Sequence, residues 1–407
     1  MLGVAGLKGK TMQDFDIIIL GAGAAGLMAG IEAGRRGRRV LVVDHAKNPG
    51  EKIRISGGGR CNFTNVNATH VLARERFLSR NPRFALSALS RFTPDMFVER
   101  VKRRGIAFHE KTLGQLFCDG PATQIVAMLI DELRQAGAVI WTGRSVGAVE
   151  KTDAGFRVLV GDGYVTCESL IVATGGKSIP KMGATGFAYG LARQFGLAVT
   201  ETRPALVPLT FEEGALEALK PLAGVSTDAV VRHGKTTFRE ALLFTHRGLS
   251  GPSILQISSY WREGDSISVD LLPEMDAFAL LQQARREQPK VQVQTVLAAH
   301  LPKRLAQLLG EMIGQTGMMG DLSDKKLMAA AEQVKNWTLK PVGSEGYRTA
   351  EVTLGGIDTD GLDAKTMMAK TVPGLYFVGE AVDVTGWLRG YNFQCAWASG
   401  WVAGQAA

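Results

Sequence analysis

Six residues near the start of the chain have the types and spacing of a phosphate-binding turn. Gly21-Ala22-Gly23-Ala24-Ala25-Gly26 follows the apolar run 16–20 and precedes a segment of small residues suited to a helix. Glycines let the backbone approach a pyrophosphate, and the N-terminus of a helix attracts its negative charge. Asp44 ends a second apolar run at about the spacing expected of an acid that binds ribose hydroxyls. Together these residues predict dinucleotide binding, with FAD and NAD both open.

A second glycine cluster carries cations and a thiol. Ser56-Gly57-Gly58-Gly59-Arg60-Cys61-Asn62 follows Lys52 and Arg54, so flexible backbone amides and positive charges occur together. Such a loop can wrap the anionic or polar atoms of a cofactor, although a solvated basic loop has the same composition. Cys61 is a candidate proton donor or redox thiol, and the alternative is a small packing residue.

The C-terminal part of the chain adds acids and the start of a helix. A predicted strand ends at Gly379-Glu380, with Asp383 shortly after it, and acids at a strand end can bind cofactor hydroxyls. Gly390-Tyr391-Asn392 precedes a helical segment, 394–403, whose N-terminus could face a flavin and stabilise negative charge on the reduced ring. A helix that only docks on the domain is the alternative.

These residues need a parallel sheet to position them. Apolar runs on either side of the first glycine motif indicate a β-α-β unit, and short alternating runs between 146 and 173 indicate a β-meander that ends in a core strand. Residues 71–140 have mainly helical spacing. The predicted fold class is α/β, with a discontinuous Rossmann-like domain, an inserted β-barrel-like domain and a helical domain. Their expected bounds are 12–197 and 343–407 for the Rossmann-like domain, 198–275 and 337–342 for the β-rich insert, and 276–336 for the helical insert.

Composition excludes several classes of protein. With 407 residues, 45% hydrophobic and 21% charged, the chain predicts two or three folded domains and is neither disordered nor fibrous. The net charge of +8 favours polyanionic partners or anionic cofactors. Four separated cysteines without C-x-x-C predict no disulfide framework, no metal site and a cytoplasmic location. The uncharged segment 17–31 is too short for a membrane span. The leader 1–12 is expected to be too short for a secretory signal, and Met12 is a candidate natural start.

Six ordered segments resemble one known family. They are ISGGGRCNFTN at 55–65, EKTLGQLF at 110–117, ATGGKSIPKMGATG at 173–186, LFTHRGLSGP at 243–252, TAEVTLGGIDT at 349–359, and GLYFVGEAVDVTG at 374–386 followed by GYNFQCAW at 390–397. From Asp14 to Gly404 the chain resembles the YhiN and BaiN flavoprotein family. The resemblance implies FAD rather than NAD as the resident cofactor. It also implies a two-dinucleotide-domain-like flavoprotein fold, interrupted by a β-barrel-like domain and a helical domain.

The resemblance further implies which positions contact FAD. They are Gly21, Gly23, Ala24, Ala25, Gly26, Asp44, Lys52, Gly58, Gly59, Arg60, Cys61, Asn62, Val146, Thr174, Gly175, Gly379, Glu380, Asp383, Gly390, Tyr391 and Asn392. Two positions depart from the commoner pattern. Asp44 stands where many flavoproteins have Glu and should still reach a ribose hydroxyl, and Arg389 stands where the family has the first glycine of Gly-Gly-Tyr-Asn.

The activity implied by the resemblance is reduction of a carbon–carbon double bond conjugated to a carbonyl. Members that share HEKTLGQLFCD and LFTHRGLSGP imply reduction of C5=C6 of uridine in 23S ribosomal RNA to dihydrouridine with NAD(P)H. More distant members imply a small-molecule enone or enoyl reductase of the bile-acid type. The chemistry needs an acid at the α-carbon, for which Cys61 and His246 are candidates, and donors to the carbonyl oxygen, for which His246, Arg247, Tyr391 and Asn392 are candidates. A hydrogen bond within its loop is the alternative role of His246.

Electron supply and the substrate set further expectations. No second G-x-G-x-x-G follows a strand in the sequence, so NAD(P)H is expected to dock transiently at the flavin, in ping-pong order with the substrate. An RNA substrate needs a basic surface and a pocket for an unstacked base. The candidate basic clusters are 35–36, 38–39, 102–104, 285–286 and 303–304, with solvated helix faces as the alternative. The candidate stacking residues are Phe108, Phe117, Phe244, Trp387 and Tyr391.

The expected partner is 23S rRNA or a ribosome assembly intermediate, with no membrane and no obligate protein partner. A non-enzymatic FAD-containing RNA binder and an oxidase remain as alternatives.

Overall fold

The computed structural model describes residues 13–314 and 317–407. The candidate start at Met12 and the leader lie outside the described residues. The chain divides into two compact units. The first comprises the described residues up to Arg203 together with Val352–Ala407, and the second is Pro204–Glu351. The finer division into three domains stays a prediction.

The strands are short except where they build the cores of the two units. They are β1 (Gln13–Leu20), β2 (Val40–Val43), β3 (Asn62–Asn65), β4 (Phe77–Leu78), β5 (Phe108–Glu110), β6 (Gln115–Cys118), β7 (Val139–Trp141), β8 (Val146–Thr152), β9 (Gly155–Val160), β10 (Gly163–Val172), β11 (Arg203–Ala205), β12 (Leu209–Thr210), β13 (Ser226–His233), β14 (Thr236–Thr245), β15 (Gly248–Ser250), β16 (Ile267–Asp270), β17 (Trp337–Leu339), β18 (Gly343–Ser344), β19 (Val352–Leu354), β20 (Leu375–Phe377) and β21 (Thr385–Gly386).

The α-helices range from one turn to four turns or more. They are α1 (Ala24–Arg35), α2 (Glu51–Gly59), α3 (Ala73–Arg76), α4 (Phe84–Arg91), α5 (Pro94–Arg103), α6 (Thr123–Gln135), α7 (Phe187–Gln194), α8 (Glu213–Leu219), α9 (Pro252–Ser258), α10 (Ala277–Glu287), α11 (Val293–Leu297), α12 (Lys303–Ile313), α13 (Asp324–Lys335) and α14 (Tyr391–Ala406). None of them, within the described part of the chain, has the length and apolar character needed to cross a bilayer.

The first unit is built on a parallel sheet extended by a hairpin. Strands β7, β2, β1, β10 and β20 run parallel, and β9 and β8 add antiparallel to β10. Residues 17–20 of β1 are fully buried, because a parallel sheet is covered on both faces and selects continuous apolar runs. The β-meander predicted between 146 and 173 is β8, β9 and β10. The carboxyl ends of β1, β2, β10 and β20 therefore meet at one edge, where ligands of such folds bind.

The mainly helical interpretation of residues 71–140 is wrong in part. Helices α3 to α6 lie there, but so do β4, which pairs with β21, and β5 and β6, which join β3 in a three-stranded antiparallel sheet. These strands have two to four residues each, too few to show an alternating pattern. Their partners are distant in sequence, so tertiary pairing outweighs local spacing.

The second unit contains a seven-stranded sheet, and helices α10 to α13 lie within the segment 276–336 that the sequence predicts to be helical. The sheet has the order β17-β16-β13-β14-β15-β12-β18. Its outermost strands β17 and β18 each pair with one neighbour in the part of the chain that the structure describes, so the structure shows a sheet and not a closed barrel. In the segment predicted to be helical, α12 buries Leu305 and Leu309 and exposes Lys303 and Arg304, as the apolar spacing predicts.

Candidate functional site

The turn between β1 and α1 combines close backbone packing with one open position. Gly21 has φ +106°, and a Cβ there would lie 2.4 Å from the carbonyl oxygen of Ala173. A Cβ at Gly26 would lie 1.8 Å from the carbonyl oxygen of Gly21. At Gly23, apart from its chain neighbours, no atom of the described residues lies within 4 Å of where a Cβ would be. The space beside Gly23 therefore suits a phosphate group.

Helix α1 begins at this open position. Gly23 is its N-cap, and the first main-chain hydrogen bond of the helix runs from the N–H of Leu27 to the carbonyl oxygen of Gly23, at 2.9 Å. The N–H groups of Ala24, Ala25 and Gly26 consequently have no acceptor within the helix. They form the positive end of the helix dipole, which is a binding site for a pyrophosphate.

Asp44 is fixed against the glycine turn. Its carboxylate accepts hydrogen bonds from the N–H of Ala22 at 2.6 Å and from the N–H of Ala46 at 2.8 Å. The N–H of Arg144 donates to the carbonyl oxygen of Asp44 at 3.0 Å, and Val146 begins β8 two residues later. The structure thus places Asp44 beside the turn, with carboxylate lone pairs still available for a ribose hydroxyl.

Thr174 and Gly175 follow β10, the strand beside β1. The side-chain hydroxyl of Thr174 is buried and has no hydrogen-bond partner among the described residues. Gly175 has φ +71°, and no atom outside its chain neighbours lies within 4 Å of the position of a Cβ. A buried polar group normally has a partner, so an unpartnered hydroxyl beside an open glycine fits a site for the polar atoms of a bound FAD.

Lys52 and Glu380 form one cluster. The Nζ of Lys52 lies 2.7 Å from Oε2 of Glu380 and 2.5 Å from Oγ of Ser178. Oε1 of Glu380 accepts from the hydroxyl of Ser178 at 2.8 Å and from the N–H of Thr353 at 3.0 Å. Because the ammonium has three donors, one remains for a cofactor oxygen, while Glu380 chiefly holds Lys52 and Ser178 in place.

The second glycine cluster forms a sharp bend within the C-terminal part of α2. Gly57, Gly58 and Gly59 have φ of +57°, +67° and +84°, and Cys61 has φ +46°. The N–H of Cys61 closes the turn on the carbonyl oxygen of Ser56 at 3.0 Å. Three successive glycines in the left-handed region form this bend, and Gly58 is exposed there.

The thiol of Cys61 is enclosed by the protein. The residue is fully buried, and burial raises the pKa of its thiol to about 12, against a smaller lowering effect of the hydrogen bond with Ser56. The thiol is therefore protonated at neutral pH and is a weak acid. It is not an activated thiolate nucleophile.

The start of α14 is tied to β3. The side-chain amide of Asn65 donates to the carbonyl oxygen of Arg389 at 2.9 Å, and the amide oxygen of Asn62 accepts from the N–H of Gly390 at 3.1 Å. Arg389 has φ +86° and Gly390 has φ +92°. Arg389 therefore has a backbone conformation that favours glycine, a strained conformation held by these contacts.

Two residues at the start of α14 have contacts within the protein, and their roles towards FAD and substrate stay predictions. The side-chain amide of Asn392 accepts from the N–H of Gly386 at 2.8 Å and donates to the carbonyl oxygens of Gly386 and Trp387. Both faces of this amide are thus used by the backbone, so Asn392 shapes the loop. The ring of Tyr391 packs edge-on against Phe77, and burial raises the pKa of its hydroxyl.

Asp383 lies at the edge of the site. It is 3% exposed, and its carboxylate accepts from the N–H of Arg80 at 3.1 Å. Burial raises its pKa, and the nearby Asp358 adds to that effect. Gly379, at the end of β20, has φ +69° and donates its N–H to the hydroxyl of Ser399 in α14 at 3.0 Å. Together with β1 and β10, β20 thus completes the strand edge around the cofactor residues.

His246 and Arg247 belong to the second unit. They form the turn between β14 and β15, where Thr245 pairs with Gly248, and His246 is exposed. A guanidinium nitrogen of Arg247 lies 3.9 Å from the carboxylate of Glu345. These two candidates therefore sit in a different compact unit from the FAD residues, and their catalytic roles stay predictions.

The aromatic candidates divide by environment. Phe244 is fully buried and packs against Trp337 in the second unit, and Phe108 packs edge-on against Phe63. Both therefore serve a core. The Nζ of Lys111 lies 4.1 Å from the centre of the Phe117 ring. The ring also packs closely against Gly57, where a Cβ would lie 2.5 Å from one of its carbon atoms.

Several residues of the site were not singled out from the sequence. Ser178 and Thr353 hold Glu380, Asn65 holds Arg389, and the fully buried Gln394 accepts from the hydroxyl of Thr64 at 2.7 Å. All of them are polar residues inside the six segments quoted above but outside the glycine spacing. A polar residue in an otherwise apolar run was the available signal.

The fold and this site define an α/β protein with a Rossmann-like FAD-binding domain. A solved 3-ketosteroid delta1-dehydrogenase from Sterolibacterium denitrificans matches with a TM-score of 0.53 and 14% identity, covering 97% of this chain and 99% of that chain. A 3-ketosteroid-delta4-(5alpha)-dehydrogenase from Rhodococcus jostii RHA1 matches with a TM-score of 0.50 and 13% identity, covering 98% of both. At such identities the likeness shows the fold alone.

The chain belongs to the HI0933-like family, whose Rossmann-domain model matches residues 15–406. A ribosomal RNA dihydrouridine synthase of Escherichia coli is 50% identical over 97% of this chain and 98% of its own length. Its counterpart in Haemophilus influenzae is 45% identical over 94% and 96%. A 3-dehydro-bile acid delta(4,6)-reductase of Clostridium scindens is 30% identical over 96% and 98%. The family resemblance expected from the sequence motifs is confirmed.

Proposed function

We propose that this protein is an FAD-dependent ribosomal RNA dihydrouridine synthase. It reduces the C5=C6 bond of uridine in 23S rRNA, with NAD(P)H as the electron donor, in the cytoplasm. The observation that carries the proposal is the identity of 50% and 45%, over nearly the whole chain, to two relatives that bear that name.

The residues of the first unit support the FAD part of the proposal. The N-terminus of α1 and the open space at Gly23 would hold the pyrophosphate, and Asp44 would take a ribose hydroxyl. Thr174 would gain the partner that its buried hydroxyl lacks among the described residues. Bound FAD supplies the hydride that adds to C6 of the uracil ring.

The protein must also deliver a proton to C5. Cys61 and His246 are the proposed acids, and the two differ physically. The Cys61 thiol keeps its proton, since burial raises its pKa to about 12, so it donates only to a strongly basic carbon such as the enolate formed as hydride adds. His246 is exposed on a turn of the second unit. Arg247 beside it is the proposed donor to the carbonyl oxygen.

NAD(P)H is proposed to dock transiently at the flavin. The sequence has no second dinucleotide turn after a strand, so reductant and substrate would use the same flavin face in turn. Initial rates at several fixed RNA concentrations should give parallel double-reciprocal lines. Lines that intersect would contradict this order.

Mapping dihydrouridine in rRNA tests the proposed function in the cell. Cells that lack this protein should lose dihydrouridine at one or more 23S rRNA positions, and the wild-type gene on a plasmid should restore it. Unchanged dihydrouridine in the deletion strain would overturn the proposal.

A second candidate is reduction of a small-molecule enone. It is favoured by the 30% identity to the bile-acid reductase over 96% of this chain. We expect the purified protein to leave a 3-dehydro-4,6-diene bile acid unreduced under conditions in which it modifies rRNA. Turnover of the bile acid without any RNA product would favour this second candidate.

A further inference from the structure

The segment 70–91 of the first unit is strongly basic, and no role in the candidate site has been assigned to its arginines. It contains Arg74, Arg76, Arg80, Arg83 and Arg91, and a single acid, Glu75. The basic clusters singled out from the sequence differ, because most of their guanidinium groups have carboxylate partners. In the first unit, Arg35 pairs with Glu32 and Glu132, Arg38 with Glu168, Arg39 with Asp16 and Arg104 with Asp131.

The segment is attached to the loop that leads into α14. Strand β4 pairs with β21 through Leu78 and Thr385. The N–H of Trp387 donates to the carbonyl oxygen of Arg76 at 2.9 Å, and the Arg76 guanidinium lies 4.2 Å from the centre of the Trp387 ring. The basic segment therefore borders the candidate flavin site directly.

The outer arginines of this segment point into solvent. Arg74 and Arg83 are exposed, and neither has an ion pair in the described ranges 13–314 and 317–407. Arg80 is 71% exposed and reaches Asp358 with one guanidinium nitrogen at 3.0 Å. Arginine binds phosphate with a planar pair of N–H donors. Unpaired guanidinium groups beside a redox site thus suit a polyanion whose base enters that site.

We propose that Arg74, Arg80 and Arg83 bind phosphates of the rRNA next to the target uridine. The inference rests on the proposed function and adds the surface that anchors the substrate. The nucleotides on either side of an unstacked base must remain close to the pocket, because the backbone links them to it. Arginines next to the pocket would therefore hold the RNA strand by its phosphates while the uracil enters the flavin site.

The test uses the FAD-loaded full chain and a double variant, Arg74→Ala/Arg83→Ala. Arg80 is left in place, because its guanidinium group pairs with the carboxylate of Asp358 at 3.0 Å. Binding to a fluorescent fragment of 23S rRNA that contains the target uridine is measured by anisotropy at several salt concentrations. Loss of two phosphate contacts should weaken binding about tenfold at low salt and reduce the slope of log K against log salt by about 1.4 to 1.8.

The matched control is Arg134→Ala, an exposed arginine of α6 whose side chain is 68% exposed. It should leave both the affinity and the slope unchanged. The flavin content and melting temperature of the double variant should equal those of the wild type, which excludes misfolding. An unchanged affinity and slope in the double variant, or an equal loss of affinity in the control, would overturn the proposal that these arginines bind rRNA phosphates.

Failure of the surface and failure of the proposed function give different results. Dihydrouridine formation is measured in the same wild-type preparation. A wild-type protein that modifies the rRNA, with a double variant that binds and modifies it equally well, overturns the surface alone. A wild-type protein that binds the fragment through these arginines but forms no dihydrouridine in any rRNA overturns the function and leaves the surface standing.

Discussion

The three glycines of the first turn are required for different physical reasons. At Gly21 and Gly26 a Cβ would collide with backbone oxygens, so the fold itself excludes larger residues. Gly23 has φ −83° and ψ −168°, an extended conformation open to any residue, and its surroundings are open. Its glycine is therefore explained by a ligand, since a phosphate must come close to the backbone there.

The Gly23→Ala substitution separates these roles. We expect the affinity for FAD to fall at least tenfold, because the added methyl group meets the pyrophosphate. The free energy of unfolding of the FAD-free protein should fall by no more than about 1 kcal/mol, the cost of alanine at an N-cap. FAD titration by fluorescence and urea unfolding measure the two effects.

The control for this substitution is Gly190→Ala, in α7. Its Cβ position is also free of described atoms within 4 Å, and a helix-interior alanine should raise stability by about 0.5 to 1 kcal/mol with FAD binding unchanged. Normal FAD affinity in the Gly23→Ala variant would show that no phosphate lies at this turn.

The identity of the acid is a question for two side chains. Cys61→Ser and His246→Ala should each be made in the FAD-loaded protein, and the variant that removes the acid should reduce uridine at least a hundredfold more slowly. Flavin content and the rate of flavin reduction by NAD(P)H should stay at wild-type levels, because neither step needs that proton. Unchanged uridine turnover in both variants would remove them as acids.

Among the elements, α1, α5, α6 and α14 are joined by a buried ionic network. Arg100 of α5 is 5% exposed and donates to Glu32 of α1 and to Glu132 of α6. Arg35 bridges the same two carboxylates, and Gln405 of α14 donates to Glu32 at 2.8 Å. The network joins these helices, and the two buried carboxylates are stabilised by the two arginines that pair with both of them.

Replacing Arg100 with methionine should therefore destabilise the protein strongly. We expect the free energy of unfolding to fall by about 3 kcal/mol, since the two buried carboxylates lose the buried one of the two arginines that they share. Urea unfolding at neutral pH measures the change. Arg134→Met on the exposed face of α6 is the control and should change stability by less than about 0.5 kcal/mol. A loss no larger than that of the control would contradict the account of the network.

The elements also show what sequence patterns can and cannot predict. The β-α-β unit and the meander of β8 to β10 follow from apolar periodicity, and Asp44 lies beside the glycine turn because adjacent parallel strands end at one edge. Strands β4, β5 and β6 escaped prediction, since their two to four residues gain their conformation from distant partners. The links from Asn65 to Arg389 and from Lys52 to Glu380 join positions more than 300 residues apart, which no local pattern encodes.

On the scale of the whole molecule, buried thiols make the free energy of unfolding decrease as the pH rises above about 9. Burial raises the pKa of Cys61 and of Cys167 from an ordinary 9.0 to about 12. Below about pH 9 the folded and unfolded states both keep these protons, so pH has no effect through them. Above that pH the unfolded state loses protons that the folded state retains, so stability falls until the pH reaches the folded pKa.

Each such thiol should lower the free energy of unfolding by up to about 1.4 kcal/mol per pH unit. Urea unfolding between about pH 8 and about pH 11 should show this decline, and Cys167→Ala in β10 should make it shallower by up to that amount. A Cys167→Ala slope equal to that of the wild type would show that this thiol ionises normally in the folded protein.

The second unit marks the limit of sequence reasoning at this scale. The sequence predicts its β-rich part and its helical part. The spacing of strands alone does not distinguish an open sheet from a barrel, because closure depends on a pairing between the end strands. His246 and Arg247 were predicted to be catalytic because they lie in LFTHRGLSGP, a segment that resembles the family. The turn that carries them belongs to a different compact unit from the FAD residues.

The most direct measurement is reconstitution of the reaction with purified components. The FAD-loaded protein, NAD(P)H and 23S rRNA from cells lacking the protein are incubated together, and the RNA is digested and analysed by mass spectrometry. We predict that a specific uridine gains two hydrogen atoms, and that omission of either protein or NAD(P)H abolishes the gain. Flavin that NAD(P)H reduces rapidly while every uridine of the RNA stays unchanged would contradict the account.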